Sequence, residues 1–296
     1  GASGRRVVKS PWAMRLAVAS TWPSGRTMVR IKNRPLNTAN PSTTAATPNE
    51  TISVLYHWRT LRGSMSHTKL AVCLDAAARA VEESMRRNGF PGTCRVEDGV
   101  LRLRHAVGDF TGAALRLARD ASAADVNRLA ADSSADMLLF LWGDTAAPDA
   151  DGLREMMMYA QRPDVCAVMP LVADARNRVL HAGYDILPDG TVRSRNRGLP
   201  VSAGGWHGMN RTSYNVTAVS PICFLVRRDA FVPLAEGESL AVDLVQWCMA
   251  RMQEGMRHVY TPHCVVKADA ESAFEGFRVQ VPAGWYDPCA TGSKRA

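Results

Sequence analysis

Met137-Leu138-Leu139-Phe140-Leu141-Trp142-Gly143-Asp144-Thr145 is the stretch on which the reading of this chain turns. Met137–Leu141 is the greasiest run of the sequence. It is far shorter than the roughly 20 apolar residues a membrane span needs. Its length and its lack of alternation suit a strand buried on both faces. Ala121–Ala135 directly before it reads as a helix, and Gly143-Asp144 directly after it reads as a turn.

Working outward, the same alternation recurs. Ile52–Trp58 reads as a first strand. Leu70–Asn88 is predicted as a helix, with Leu70, Cys73, Leu74, Ala77, Ala78, Val81 and Met85 at spacings of three and four, and Gly89 and Pro91 ending it. Cys94–Val96 and Val100–Leu103 read as short strands around Glu97-Asp98-Gly99. Gly152–Gln161 is predicted as a helix capped near Asp149 or Asp151, and Val165–Leu171 as a strand. Gly183–Asn215 is Gly- and Arg-rich and reads as a long surface excursion. Ala218–Val226 is strand-like, Leu240–Glu254 helical, and Arg257–Tyr260 a strand closed by Pro262. Strands alternating with helices imply an α/β fold, with a mostly parallel, Rossmann-like central sheet and helices on both faces. In such sheets ligands bind beyond the carboxyl ends of the strands. That rule puts Asp98 and Asp144 at the expected cleft, because each follows a strand directly.

With 46% hydrophobic and 22% charged residues, the chain has enough apolar material for a sizeable core. Its net charge of +8 is not spread evenly. Residues 1–49 hold Arg5, Arg6, Lys9, Arg15, Arg26, Arg30, Lys32 and Arg34 and no acid, while the remainder carries 28 charges of each sign. These 49 residues are rich in Pro, Ser, Thr and Asn, so they read as an extended basic arm without a core of its own. Such a composition also marks mitochondrial transit peptides, which makes the mitochondrial matrix the expected intracellular address. The body is expected over residues 50–276, with a tail at 277–296. Seven cysteines without a C-x-x-C pair speak against a zinc ribbon or a dense disulfide framework, and imply reduced, mostly buried thiols.

Four windows in register resemble family 2 nucleotide-sugar glycosyltransferases of the rhamnosyltransferase-like kind. Ala121–Asp136 followed by Met137–Thr145 is similar to that family's N-x-A-A-x-x-A-x-G-D-Y-L-L-F-L-N-D-D-T. Val179-Leu-His-Ala-Gly is similar to I-Q-H-A-G. Asn215-Val-Thr-Ala-Val through Ala230-Phe231 resembles N-V-S-A-V-x-G-A-C-L-L-V-R-R-x-A-F. Glu254-Gly-Met-Arg-His-Val-Tyr-Thr-Pro-His is close to A-G-Y-R-V-V-Y-T-P-H. The resemblance covers about half the chain, from Ala121 to Gly276, and implies the GT-A fold. It also implies what an active member needs: Mg²⁺ or Mn²⁺ on carboxylates to neutralise the leaving diphosphate, and a general base beside the acceptor hydroxyl. By the same resemblance Asp98 would hold nucleobase or ribose; equally, it shapes a turn.

The acids that the resemblance calls for are thinned out. Asp144 keeps the last acid of the metal turn, but Trp142 and Gly143 replace its usual neighbours. In the helix that commonly reads E-D-V-D-W-C-L-R, this chain reads Asp243, Leu244, Val245, Gln246, Trp247, Cys248, Met249 and Ala250. Leucine stands at the base position, and a hydrocarbon cannot accept a proton. Asp243 is the remaining carboxylate there, turned about 100° away along the helix. Val265-Val-Lys-Ala-Asp-Ala-Glu-Ser lacks the histidine expected in that window, although His263 stands just upstream. His181 reads as a structural histidine, and Trp247, Cys248 and Met252 as core.

Three functions follow as expectations. One is a glycosyltransferase-like domain without catalysis or cofactor. It would serve as an accessory subunit of a larger protein or ribonucleoprotein assembly docked through the arm, where each neutralised phosphate adds salt-dependent affinity. The second is an active inverting transferase with Asp243 as base and Mg²⁺ or Mn²⁺ on Asp144; the third, a sugar- or nucleotide-binding module, lies between them. Deleting residues 1–49 is expected to abolish co-purification with the partner assembly while leaving the circular dichroism and melting of the body unchanged. Undiminished association would refute the arm's role.

Overall fold

The structure is a computed structural model. It describes the backbone of the strands at 19–21, 26–29 and 57–59, and residues 69–97, 99–269 and 274–289. The chain divides into two compact units, Gly1–Cys73 and Leu74–Ala296. In the first, β1 (Ala19–Thr21), β2 (Arg26–Val29) and β3 (His57–Arg59) form an antiparallel sheet in the order β1-β2-β3. Two of these strands fall inside residues 1–49, the stretch expected as an extended basic arm. The arm residues Arg5, Arg6, Lys9, Arg15, Arg30, Lys32 and Arg34 lie outside the described residues, as does 52–56 of the expected first strand.

The second unit opens with the C-terminal part of α1 (Leu70–Arg87), followed by β4 (Gly92–Glu97) and β5 (Val100–His105). These two strands pair with each other as a separate two-stranded sheet. Ala78, Met85 and Cys94 form a small satellite core there, and the Glu82 carboxylate accepts the Cys94 backbone N–H at 2.7 Å.

The main body is built on β6 (Gly112–Leu117), α2 (Ala123–Asp132), β7 (Met137–Trp142), α3 (Ala150–Ala160), β8 (Val165–Ala173), β9 (Val179–His181), β10 (Tyr184–Ile186), β11 (Val192–Ser194), β12 (Tyr214–Val216), β13 (Cys223–Arg227), α4 (Leu240–Gln253) and β14 (Arg257–Lys267). The central sheet runs β12-β14-β8-β13-β7-β6, with β9 beside β8. β6 is parallel to β7 and β14 to β8, whereas β13 is antiparallel to both β7 and β8. The fold is thus α/β, as the alternation implies, but the sheet is mixed, with β13 inverted in its middle. The apolar run Cys223–Val226 buries equally well in either direction, so its sense is not written in its composition.

Every residue of β7 and β8 is buried, the pattern of central strands covered on both faces. Phe140 and Phe224 face each other across the β7–β13 ladder and stack at 4.8 Å. Helices cover both faces. Along β14, the His258 ring lies 6.2 Å from Trp247 of α4, while Thr261, three residues on and facing the opposite way, donates to Glu155 of α3 at 3.0 Å. Pro170 has no N–H to give the ladder. It sits where β8 stops pairing with β13 and, two residues further on, takes up β9. Opposite it the register of β14 shifts between Thr261 and Val265. Pro262 therefore opens a bulge and does not close the strand as its position implied.

The excursion at 183–215 is more built than its Gly and Arg content suggested. β10 and β11 make a hairpin in which Tyr184, Ile186, Val192 and Arg195 are buried. Residues 274–289 lie along it. Asp287 accepts the Ile186 N–H at 2.8 Å and the Thr217 hydroxyl, and Arg195 bridges Asp185 and the Cys289 carbonyl. All seven cysteines are free, and five of them are buried.

One buried ion pair ties the β4–β5 sheet to the body. Arg102 makes a two-pronged contact to Glu155 at 3.1 and 2.9 Å, with side chains 10% and 8% exposed. Ser213 donates to Thr261, and Thr261 to the same carboxylate. Removing one member of a buried pair strands the other charge, at a cost of about 3–5 kcal/mol, whereas replacing both is far milder. Glu155→Ala is expected to lower urea-unfolding stability by about 3 kcal/mol, and Arg102→Met with Glu155→Met to recover most of that loss.

Candidate functional site

At the carboxyl ends of β6, β7, β8 and β14 the surface opens into two adjoining hollows of about 400 and 250 Å³. Arg119 and Trp142 form their shared wall. The larger is lined further by Asp120, Phe274, Asp243 and the Glu236–Ser239 segment before α4. The smaller is lined by Asp144, Thr145, Ala175, Lys267 and Asp269. Trp142 and Phe274 meet edge to face at 5.1 Å, giving the cleft an aromatic floor.

Asp144 stands on the turn after β7, its carboxylate 91% exposed and ion-paired with Arg119 at 2.9 Å. Two arginines after or within β6 brace this turn. Arg116 donates to the carbonyls of Gly143 at 3.1 Å and Thr145 at 2.5 Å. Arg119 holds the carboxylate and lies over the Trp142 ring at 5.5 Å. Gly143 has φ +57°, and a Cβ there would meet the Arg119 side chain at 3.4 Å. That distance is ordinary contact, so it is the positive φ that suits glycine here.

Asp243 and Leu244 part company at α4. Leu244 is wholly buried and lines neither hollow. Asp243 is 6% exposed and lines the larger one; its carboxylate accepts the Gly237 N–H at 3.2 Å. Loss of hydration raises its pKa above the usual carboxylate range; the Gly237 bond opposes the rise, and the charges of Glu236 and Glu238 add to it. Those two glutamates, with Arg119 and Lys267, escape a motif-based reading. The signal for them was the doublet Glu236-Gly-Glu238 just ahead of Ser239, whose hydroxyl caps α4 by accepting the Val242 N–H. Three contacts fix the segment that bears them. Trp247 donates its indole N–H to the Val232 carbonyl at 2.7 Å, Asn127 pairs with both backbone groups of Leu234, and Asp243 holds Gly237.

Asp98 lies outside the described residues, and the strands that flank it, β4 and β5, belong to the small sheet instead of the central one. His181 is buried, with Nδ1 2.6 Å from the Ser194 hydroxyl, and burial pushes its pKa down to about 3. His263 is exposed on the β14 bulge.

The donor set at Asp144 does not fit a resident divalent cation. Its carboxylate is taken by a guanidinium, and among the described residues no three His, Cys, Asp or Glu side chains converge on one point. Mg²⁺ and Mn²⁺ need several oxygen ligands, and an adjacent fixed positive charge opposes them.

No protein-family model matches the chain, and no curated protein does. Among solved structures it is similar to the crystal structure of GalNAc-T7 with UDP, GalNAc and Mn²⁺. The match covers 55% of this chain and 31% of that one, at 10% identity and a TM-score of 0.36. The chain thus spans about a third of the length of that neighbour.

The raised pKa of Asp243 has a testable sign. The folded state favours the neutral acid, so the stability this group contributes is complete below about pH 3.9, its unfolded value. That contribution is lost as pH rises through the higher folded value. Asp243→Asn, which stays neutral and can still accept the Gly237 N–H, is expected to melt above the parent at pH 7. The gap should shrink toward zero as the pH approaches 4; a gap independent of pH would contradict the assignment.

Proposed function

We propose that this chain is a GT-A glycosyltransferase-like domain that no longer transfers sugar and serves as an accessory subunit of a larger assembly. The observation that carries this reading is that Leu244, which the family resemblance sets at the base position, is 0% exposed. A leucine sealed in the core neither accepts a proton nor reaches an acceptor hydroxyl. The capture of Asp144 by Arg119 supports the same conclusion from the opposite wall of the cleft.

The apolar framework that places these residues is complete, so the fold persists without the chemistry. In this reading the docking element is the acid-free arm at residues 1–49, whose eight cations suit a polyanionic surface such as RNA. A mitochondrial ribonucleoprotein or respiratory assembly fits that charge and the transit-like composition.

One observation favours an active inverting transferase instead. Asp243 is a carboxyl of raised pKa on the wall of the larger hollow, and such groups suit general-base catalysis. It would take the acceptor hydroxyl's proton, and Mg²⁺ or Mn²⁺ would have to displace Arg119 from Asp144.

Incubating the whole chain with UDP-, GDP- and TDP-sugars plus Mg²⁺ or Mn²⁺ separates the two readings. No release of nucleoside diphosphate above the buffer rate is expected. Turnover that disappears in both Asp243→Asn and Asp144→Ala would overturn the non-catalytic reading.

A further inference from the structure

We propose that the outer edge of β6 docks a second copy of this chain, the two β6 strands pairing antiparallel about a two-fold axis at Ala114. This edge is separate from the cleft, so the pairing stands whether or not the cleft transfers sugar.

β6 ends the central sheet, and among the described residues no strand pairs beyond it. Its bonds to β7 fix which backbone groups point where. Met137 N–H donates to the Thr111 carbonyl at 2.9 Å, and Gly143 N–H to the Leu117 carbonyl at 2.8 Å. Backbone groups alternate sides along a strand, so residues 111, 113, 115 and 117 face β7. Gly112, Ala114 and Arg116 therefore turn their N–H and C=O groups outward. All three are exposed, whereas Ala113 and Leu115 are partly buried and Leu117 is buried.

Folded proteins shield such edges with proline, lysine, bulges or very short strands. The opposite edge follows that rule, since β12 has three residues. β6 has six, runs beside β7 without a register shift, and carries neither proline nor lysine. Its one charge is drawn away from the edge. The Arg116 guanidinium reaches toward the turn after β7, onto the Gly143 and Thr145 carbonyls at 3.1 and 2.5 Å.

The edge is complementary to itself. In an antiparallel pair centred on Ala114, Gly112 stands opposite Arg116 of the other copy, and Ala114 opposite Ala114. Each such pair exchanges both of its N–H···O bonds. A Cβ on Gly112 would meet nothing within 4 Å, so the long arginine has open space beside it. On the other face Ala113 meets Leu115. The same axis brings exposed Asp109 of one copy toward exposed Arg119 of the other, while centring the pair on Arg116 would oppose two cations. A two-fold joint of this kind is closed and uses up both β6 edges.

A joint made by one strand from each side falls below the roughly 1,200 Å² of a standard interface. A weak dimer is expected, with a Kd of about 10–100 µM. Sedimentation equilibrium of the full chain, from ten-fold below to several-fold above that range, reads it. Hydrogen exchange across the same series should show the Gly112, Ala114 and Arg116 amides slowing with concentration. The Ala113 and Leu115 amides, already bonded to β7, should not change.

Ala114→Lys and Ala114→Asp should each weaken the dimer at least about five-fold by setting like charges opposite one another. An equimolar mixture of the two should restore it. Ala114 is exposed, so both variants are expected to melt with the dilute parent. A monomer throughout the series, or exchange at the three outward amides that ignores concentration, would overturn the proposal. So would a dimer that both charges leave intact, which would place self-association on another surface. None of these outcomes bears on the cleft, which the sugar-transfer assay addresses alone.

Discussion

Three neighbouring strands, β7, β13 and β8, set the terms for everything else in the body. Their side chains are almost wholly apolar and buried on both faces. Water cannot reach their backbone groups, so each N–H and C=O has to be paired within the sheet or capped at its ends. The cross-strand stack of Phe140 on Phe224 fixes the register at the centre. Where a backbone donor is missing, at Pro170, the pairing changes partner and β14 bulges opposite. Polar chemistry is thereby expelled to the strand ends, and the cleft lies there.

The cleft inherits its rigidity from that sheet and its charge from two short segments. One is the turn after β7, braced by Arg116 and Arg119. The other is the loop before α4, fastened by Trp247, Asn127 and Asp243. Each segment bears carboxylates, Asp144 on the first and Glu236 and Glu238 on the second. Asp144 makes an exposed ion pair with Arg119, and Leu244 packs into the core. A single helix carries both a residue sealed in the core, Leu244, and one that lines the larger hollow, Asp243, one position apart. The 100° rotation between them separates a structural role from a chemical one.

Apolar run lengths made β7, β8, α3 and α4 legible, because doubly buried strands and amphipathic helices leave a local signature. β6 was not legible: Gly112–Leu117 lies at the sheet edge, with alternate residues exposed and two of its six residues alanine. The β10–β11 hairpin was hidden for a different reason. Its burial depends on residues 274–289, about ninety positions away, and on ion pairs such as Arg195 with Asp185, which in sequence look like solvated surface. At the site, Asp144 and Asp243 could be picked out by type and neighbourhood. Arg119, Lys267, Glu236 and Glu238 could not, since nothing local marks a charge as facing a cleft.

What the sequence by itself determined was the burial of β7, β8 and β13, the α/β class and the charge asymmetry of residues 1–49. All of these are properties of composition and period. Tertiary structure alone decided the inverted sense of β13, the small separate sheet at β4–β5, and the meeting of Arg119 with Asp144 across 25 positions of chain. Those depend on which strand ends are brought side by side. An apolar run records that it will be buried, but not its direction or what will stand beside its final turn.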